Sequence, residues 1–142
     1  MFEIERENME LKPIRFFSLL FTALVFAPSM AHLLELPNKL GLTRDEYFTV
    51  QQIYYGWALL GFVIAGALFS TLVLTFMSRR AKKRFVLSLI ALLAIIGTQV
   101  LFWVFTYPAN RQTNNWIMIP ANWESLRAQW EYSHAAGATS RI

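Results

Sequence analysis

Three stretches free of acidic and basic residues dominate this chain and limit what it can fold into. Phe16 to Leu34 is 19 residues long, with His32 its one titratable side chain; Tyr47 to Ser78 has 32 residues and Phe85 to Asn110 has 26. About 20 apolar residues cross the hydrocarbon core of a bilayer, and backbone in lipid must bond to itself, so each stretch is read as a transmembrane helix. At about 1.5 Å per residue the second is longer than the membrane is thick, which places its polar beginning outside. The third is expected to stop at Tyr107-Pro108, where proline removes a backbone donor and the aromatic suits the headgroup level. The predicted spans are about 14–36, 52–78 and 84–107, followed by a tail over 108–142. The expected fold is a single all-α integral membrane bundle: three transmembrane helices plus an external amphipathic C-terminal helix.

Charge orients the chain. Five of its 13 basic residues lie between Arg79 and Arg84, and Arg6, Lys12 and Arg15 precede the first span. The opposite side carries Lys39, Arg44, Arg111, Arg127 and Arg141, spread over a much longer length. Basic residues collect on the cytoplasmic side, so the N-terminus is expected inside and the tail outside a plasma (inner) membrane. The acids Glu3, Glu5, Glu7 and Glu10 weigh little in that rule. A competing reading makes residues 1–31 a cleaved signal peptide, with small residues at Ser29-Met30-Ala31; against it, apolar character resumes at Leu33-Leu34. With no cysteine, thiolate metal sites, disulfides and cysteine nucleophiles are excluded. No nucleotide loop, nucleophile elbow, zinc-protease helix or nucleic-acid module appears, and no nucleic-acid partner is expected.

Polar residues gather at the expected external level. His32 and Glu35 are three apart on one helical face. Tyr47, Gln51 and Tyr54 or Tyr55 recur at helical spacing entering span two, as do Gln99, Trp103 and Thr106 leaving span three. In the tail, Trp123, Arg127, Trp130 and His134 share one face behind the helix-start signal of Pro120, and Glu131 and His134 repeat the spacing of His32 and Glu35. An ordinary account makes the tail an amphipathic helix lying in the interface with tryptophan anchors, and His32 a rim histidine bonded to a carbonyl or to Glu35. Two His/Glu pairs on facing helices are also how bundles build metal sites, so His32, Glu35, Glu131 and His134 form an alternative set for a transition metal. Gly61-x-x-x-Ala65 and Gly66-x-x-x-Ser70 mark faces where another helix can come close.

The segments Ala31 to Lys39, Tyr47 to Trp57 (YFTVQQIYYGW), Tyr107 to Trp116 (YPANRQTNNW) and Asn122 to Ala136 (NWESLRAQWEYSHAA) resemble the anthrone oxygenase-like family of small integral membrane proteins. The likeness covers roughly residues 14–138, and His32, Glu35, Tyr47, Gln51, Trp57, Asn110, Asn115, Trp116, Asn122, Trp123, Arg127, Trp130, Glu131 and His134 match the bacterial pattern. It implies a four-helix membrane bundle and, for members from polyketide pathways, oxidation of anthrones to anthraquinones by O₂ with no known bound cofactor. Family members continue past the W-E-Y-S-H segment into a fourth apolar span, whereas this chain ends at Ile142. The resemblance therefore implies a flank covered by another copy or another membrane protein.

Three function classes follow. An oxygenase of this kind needs a base, an oxyanion donor and a dry aromatic slot. His32 is the expected base with Glu35 orienting it and His134 facing it; Gln51, Tyr55 or Gln99 is the expected donor, and Trp103, Trp123, Trp130 and Arg127 the expected lining. The second class is the His/Glu metal site. The third is a non-catalytic accessory or assembly subunit, or a quinone- or lipid-binding protein.

Overall fold

The computed structural model describes residues 2–139, the side chains of residues 2–8 and 10 excepted. Arg141 and the side chains of Arg6, Glu3, Glu5, Glu7 and Glu10 therefore lie outside the described part. The first apolar run belongs to one long helix, α1 (Phe2–Leu40), which contains Pro13, Pro28 and Pro37. Its stretch Leu11–Leu40 is long and apolar enough to cross a membrane. The helix was expected to finish near residue 36 but runs one turn further through Pro37. Proline there forgoes a single amide bond, to the Leu33 carbonyl, and the extra turn is held by contacts of Lys39.

The second predicted span divides. A short helix, α2 (Arg44–Gln51), starts where the Glu46 carboxylate accepts from the Thr43 amide at 2.9 Å and its hydroxyl at 2.6 Å, satisfying end groups that have no helical partner. Two 3₁₀ turns follow, Gln52–Tyr54 and Trp57–Leu59, separated by Gly56 at φ 85°. Only glycine adopts that left-handed conformation freely, so regular helix begins at residue 60 rather than 52, as α3 (Leu60–Met77).

The third span is longer than expected. Helix α4 (Lys82–Leu101) passes through a π-helical segment, Phe102–Thr106, into α5 (Tyr107–Gln112), and Pro108 does not end it. In the π segment the Tyr107 amide already reaches back to the Phe102 carbonyl. With the hydrogen-bond ladder shifted there, the missing proline amide breaks little. Three successive left-handed residues, Asn114, Asn115 and Trp116 (φ 48°, 54° and 64°), then turn the chain toward α6 (Trp123–Thr139).

The four long helices form a ring in which α1 packs on α3, α3 on α4, and α6 on both α4 and α1. Helix α6 descends antiparallel to α4. Gln129 Nε2 donates to the Phe105 carbonyl at 2.7 Å, the Thr106 and Ser133 hydroxyls meet at 2.7 Å, and Gly137 lies against Thr98. It therefore does not lie flat as an interfacial anchor helix. Trp116 and Trp130 are buried at 3% and 4% exposure instead of reaching out to headgroups.

The body of the bundle is apolar outside and hydroxylic inside. Phe16, Leu19, Phe62, Phe69, Leu87 and Ile90 are exposed, whereas Ser18, Ser70, Thr71, Thr75, Ser88 and Thr98 are buried. Water would oppose that distribution and lipid favours it, so the chain is an all-α membrane bundle with three helices able to cross the bilayer. No strand occurs among the described residues.

Candidate functional site

Because α1 continues past Pro37, it presents His32, Glu35 and Lys39 along one face at spacings of three and four. Helix α6 presents Trp130, Glu131 and His134 against them, and α2 with its 3₁₀ turn closes the third side with Tyr47, Gln51 and Tyr54.

Lys39 is the hub. Only 3% exposed, its ammonium lies 2.9 Å from Glu131 Oε1 and 3.8 Å from Glu35 Oε2, and donates to the Tyr54 hydroxyl at 3.0 Å. The rings of Tyr54 and Trp130 each lie 4.6 Å from it, faces that attract a cation. Tyr54 donates onward to Glu35 at 2.6 Å, Tyr47 donates to Glu131 at 2.9 Å, and the Gln51 amide donates to Tyr47. One polar chain thus joins Gln51, Tyr47, Glu131, Lys39, Tyr54 and Glu35. Burial pushes the Glu131 carboxyl above the usual carboxylate range, against the pull of Lys39 and of the Tyr47 hydroxyl. Burial also raises both phenols, helped at Tyr47 by the charge of Glu131 and at Tyr54 by the bond to Glu35. They are donors that stay protonated.

Beyond Glu35 the chain meets imidazoles. His32 Nδ1 is 4.0 Å from Glu35 Oε2, buried and without a hydrogen-bond partner. The His32 ring lies 4.3 Å from His134, 4.9 Å from Tyr54, 5.1 Å from Trp130 and 5.8 Å from Trp57. His134 Nδ1 is 2.9 Å from the Trp130 carbonyl. A carbonyl only accepts, so the proton sits on Nδ1 and the free lone pair on Nε2. Burial lowers His134 to about 4, against that carbonyl bond and with help from the Lys39 charge. Asn110 Oδ1 fixes the indoles behind them, accepting from Trp116 at 3.1 Å and Trp130 at 2.9 Å.

His32, Glu35, Gln51, Trp130, Glu131 and His134 therefore converge as the spacing predicted. Other expected members do not join them. Tyr55 is 87% exposed, and its neighbour Tyr54 takes the inward position because the 3₁₀ turn before Gly56 rotates Tyr55 outward. Trp103 is 58% exposed and packs on Phe102 and Tyr107. Gln99 is half-buried on α4 with no hydrogen bond to this cluster. Trp123 stacks near Phe48 and Tyr47, with Arg127 over it at 4.7 Å while donating to the Leu42 carbonyl at 2.9 Å. These two brace the site from behind. Among the described residues, no three His, Cys, Asp or Glu side chains are grouped to hold a metal ion. The cation between Glu35 and Glu131 is the chain's own ammonium.

Lys39 is the member that sequence reasoning missed, having read it as a loop charge. The signal was the spacing of four from Glu35, which continues the His32 face once the helix passes Pro37. Compared with models of protein families, with curated proteins and with solved structures, the chain matches none.

Proposed function

We propose that this protein is a small membrane oxygenase acting without a bound cofactor on an apolar, anthrone-like carbon acid dissolved in the lipid. The observation that supports this most is the unpartnered, buried Nδ1 of His32 inside an aromatic enclosure, with a carboxylate 4.0 Å away. Such a nitrogen is free to take a proton, and Glu35 steadies the imidazolium that results. The substrate's central CH₂ loses that proton to Nδ1. Its carbonyl oxygen, now carrying negative charge, is met by the Lys39 ammonium, which replaces the donors expected at Tyr55 and Gln99. The carbanion reduces O₂ directly: both CH₂ hydrogens leave in one water, and the second oxygen atom becomes the new carbonyl. Access from lipid is offered by a groove of about 420 Å³ lined by Leu24, Pro28, Gly56, Trp57, Leu59, Leu60 and Val63, whose Trp57 wall backs onto His32. The same groove favours a second reading, a quinone-binding protein without turnover.

The test is O₂ uptake and quinone absorbance with anthrone as substrate, using the full chain in lipid nanodiscs. His32→Ala should cut turnover by about 10²-fold or more at unchanged stability, while Tyr55→Phe and Trp103→Phe should leave it unchanged. Wild-type protein that binds a quinone but consumes no O₂ would favour the second reading; full turnover by His32→Ala would end the first. From the charge count we further propose that the site faces the outer side of an inner membrane. In intact cells an impermeant maleimide should then label a cysteine placed at position 112 and spare one at 81, and the reverse would invert the topology.

A further inference from the structure

At the opposite end of the bundle, the turn joining α3 to α4 concentrates Arg79, Arg80, Lys82, Lys83 and Arg84. The first four are exposed. Among the described residues, Arg80, Lys82 and Lys83 have no acidic partner within 4.0 Å, whereas Arg84 makes contacts within the chain. The start of α4 makes this crowding worse. Its first turn carries no acid and its N-cap is Ala81, whose side chain offers no acceptor. The Phe85 amide bonds to Ala81 O at 2.9 Å. Ser78, in the same turn, leaves its own hydroxyl without a partner and so caps nothing. A helix N-terminus is the positive end of the dipole and prefers anions; here cations stand on it.

The surroundings are those of a lipid rather than of a small ion. Arg79 folds back along α3, its guanidinium 4.1 Å over the Phe76 ring and donating to the Phe76 carbonyl at 3.3 Å. Phe76 is 64% exposed and Leu72 54%; on α4, Val86 is 42% and Leu87 59% exposed. Cationic groups thus sit within one or two helical turns of exposed apolar side chains on both helices, matching a phosphate headgroup joined to acyl chains. We propose that the α3–α4 turn binds the phosphate of anionic phospholipids, using the exposed side chains of Arg79, Arg80, Lys82 and Lys83.

The test compares the full chain in nanodiscs of phosphatidylcholine with nanodiscs containing about a quarter phosphatidylglycerol, reading retained lipids by native mass spectrometry. Nanodiscs expose both faces, so orientation does not enter. Wild type should keep phosphatidylglycerol in clear preference, losing about fivefold for each charge removed in Arg80→Gln, Lys82→Gln and Lys83→Gln, while Arg44→Gln at the other end changes nothing. Should the triple variant not insert, the wild type alone decides, since the preference should fall steeply with added salt. Equal retention of both lipids overturns the proposal. So does displacement of the bound lipid by inorganic phosphate, which would indicate a small-anion site.

Discussion

Helix α1 is held at two places by different physics. Around Ser18 and Phe21 it meets α3 through close approach: a Cβ added at Gly66 would sit 2.9 Å from the Phe21 ring, and Ser18 and Thr71 share a buried hydrogen bond of 2.9 Å. Around His32 to Lys39 it meets α6 and α2 through a buried ammonium, two carboxylates and a set of rings. In lipid, apolar contact gives helices little reason to prefer one another over acyl chains, so shape and single hydrogen bonds are what the first region uses. At the centre of the second region Lys39 and Glu131 are buried, where a charge is tolerated only if paired. Contacts of the first kind are individually weak and replaceable; each member of the second is bound to the presence of the others.

The sharpest way to break this contrast is Glu131→Ala, which leaves Lys39 buried without its nearest carboxylate. It should cost about 3–5 kcal/mol in detergent unfolding, and adding Lys39→Met should recover much of that. A loss no larger than the roughly 0.6 kcal/mol of an average interhelical hydrogen bond would mean that the two regions do not differ. Next comes Gly66→Leu, expected to cost about 1–3 kcal/mol by driving into Phe21, with Phe21→Ala restoring part; an unchanged stability would show that the close approach is dispensable.

The smallest effect is in pH. His134 is lowered from 6.5 to about 4, so between those values the unfolded chain binds the extra proton and stability falls as pH drops. Comparison with His134→Gln cancels the titration of Glu131. The wild type's lead over the variant should shrink by about 1–2 kcal/mol from pH 7 to pH 5. A constant lead would mean that His134 is as easily protonated in the fold as out of it.

Much of this arrangement was legible in the sequence. Hydropathy located three spans because burial in lipid acts on every residue of a helix at once. Spacing put His32 and Glu35 on one helical face and Glu131 and His134 on another because helical geometry is local; that Glu131 would pair with Lys39 instead depends on how the helices meet. What escaped depended on single backbone events: the passage through Pro37 that brings Lys39 inward, the left-handed Gly56 that exchanges Tyr55 for Tyr54, and the π segment that carries α4 past Pro108. Whether α6 would lie flat or stand upright was hidden as well. That outcome rests on bonds such as Gln129 to the Phe105 carbonyl, between segments far apart along the chain.

The antiparallel descent of α6 along α4 also sets an order of assembly. Residues are made from the N-terminus onward, so Lys39 reaches its place well before Glu131 exists. Until α6 arrives, α1 carries an ammonium with one partly exposed carboxylate beside it and no lid of tryptophan. Helix α6 is thus the one that neutralises a charge installed by α1. A chain interrupted before Trp123 retains all three apolar spans yet leaves the Lys39 ammonium without its nearest carboxylate.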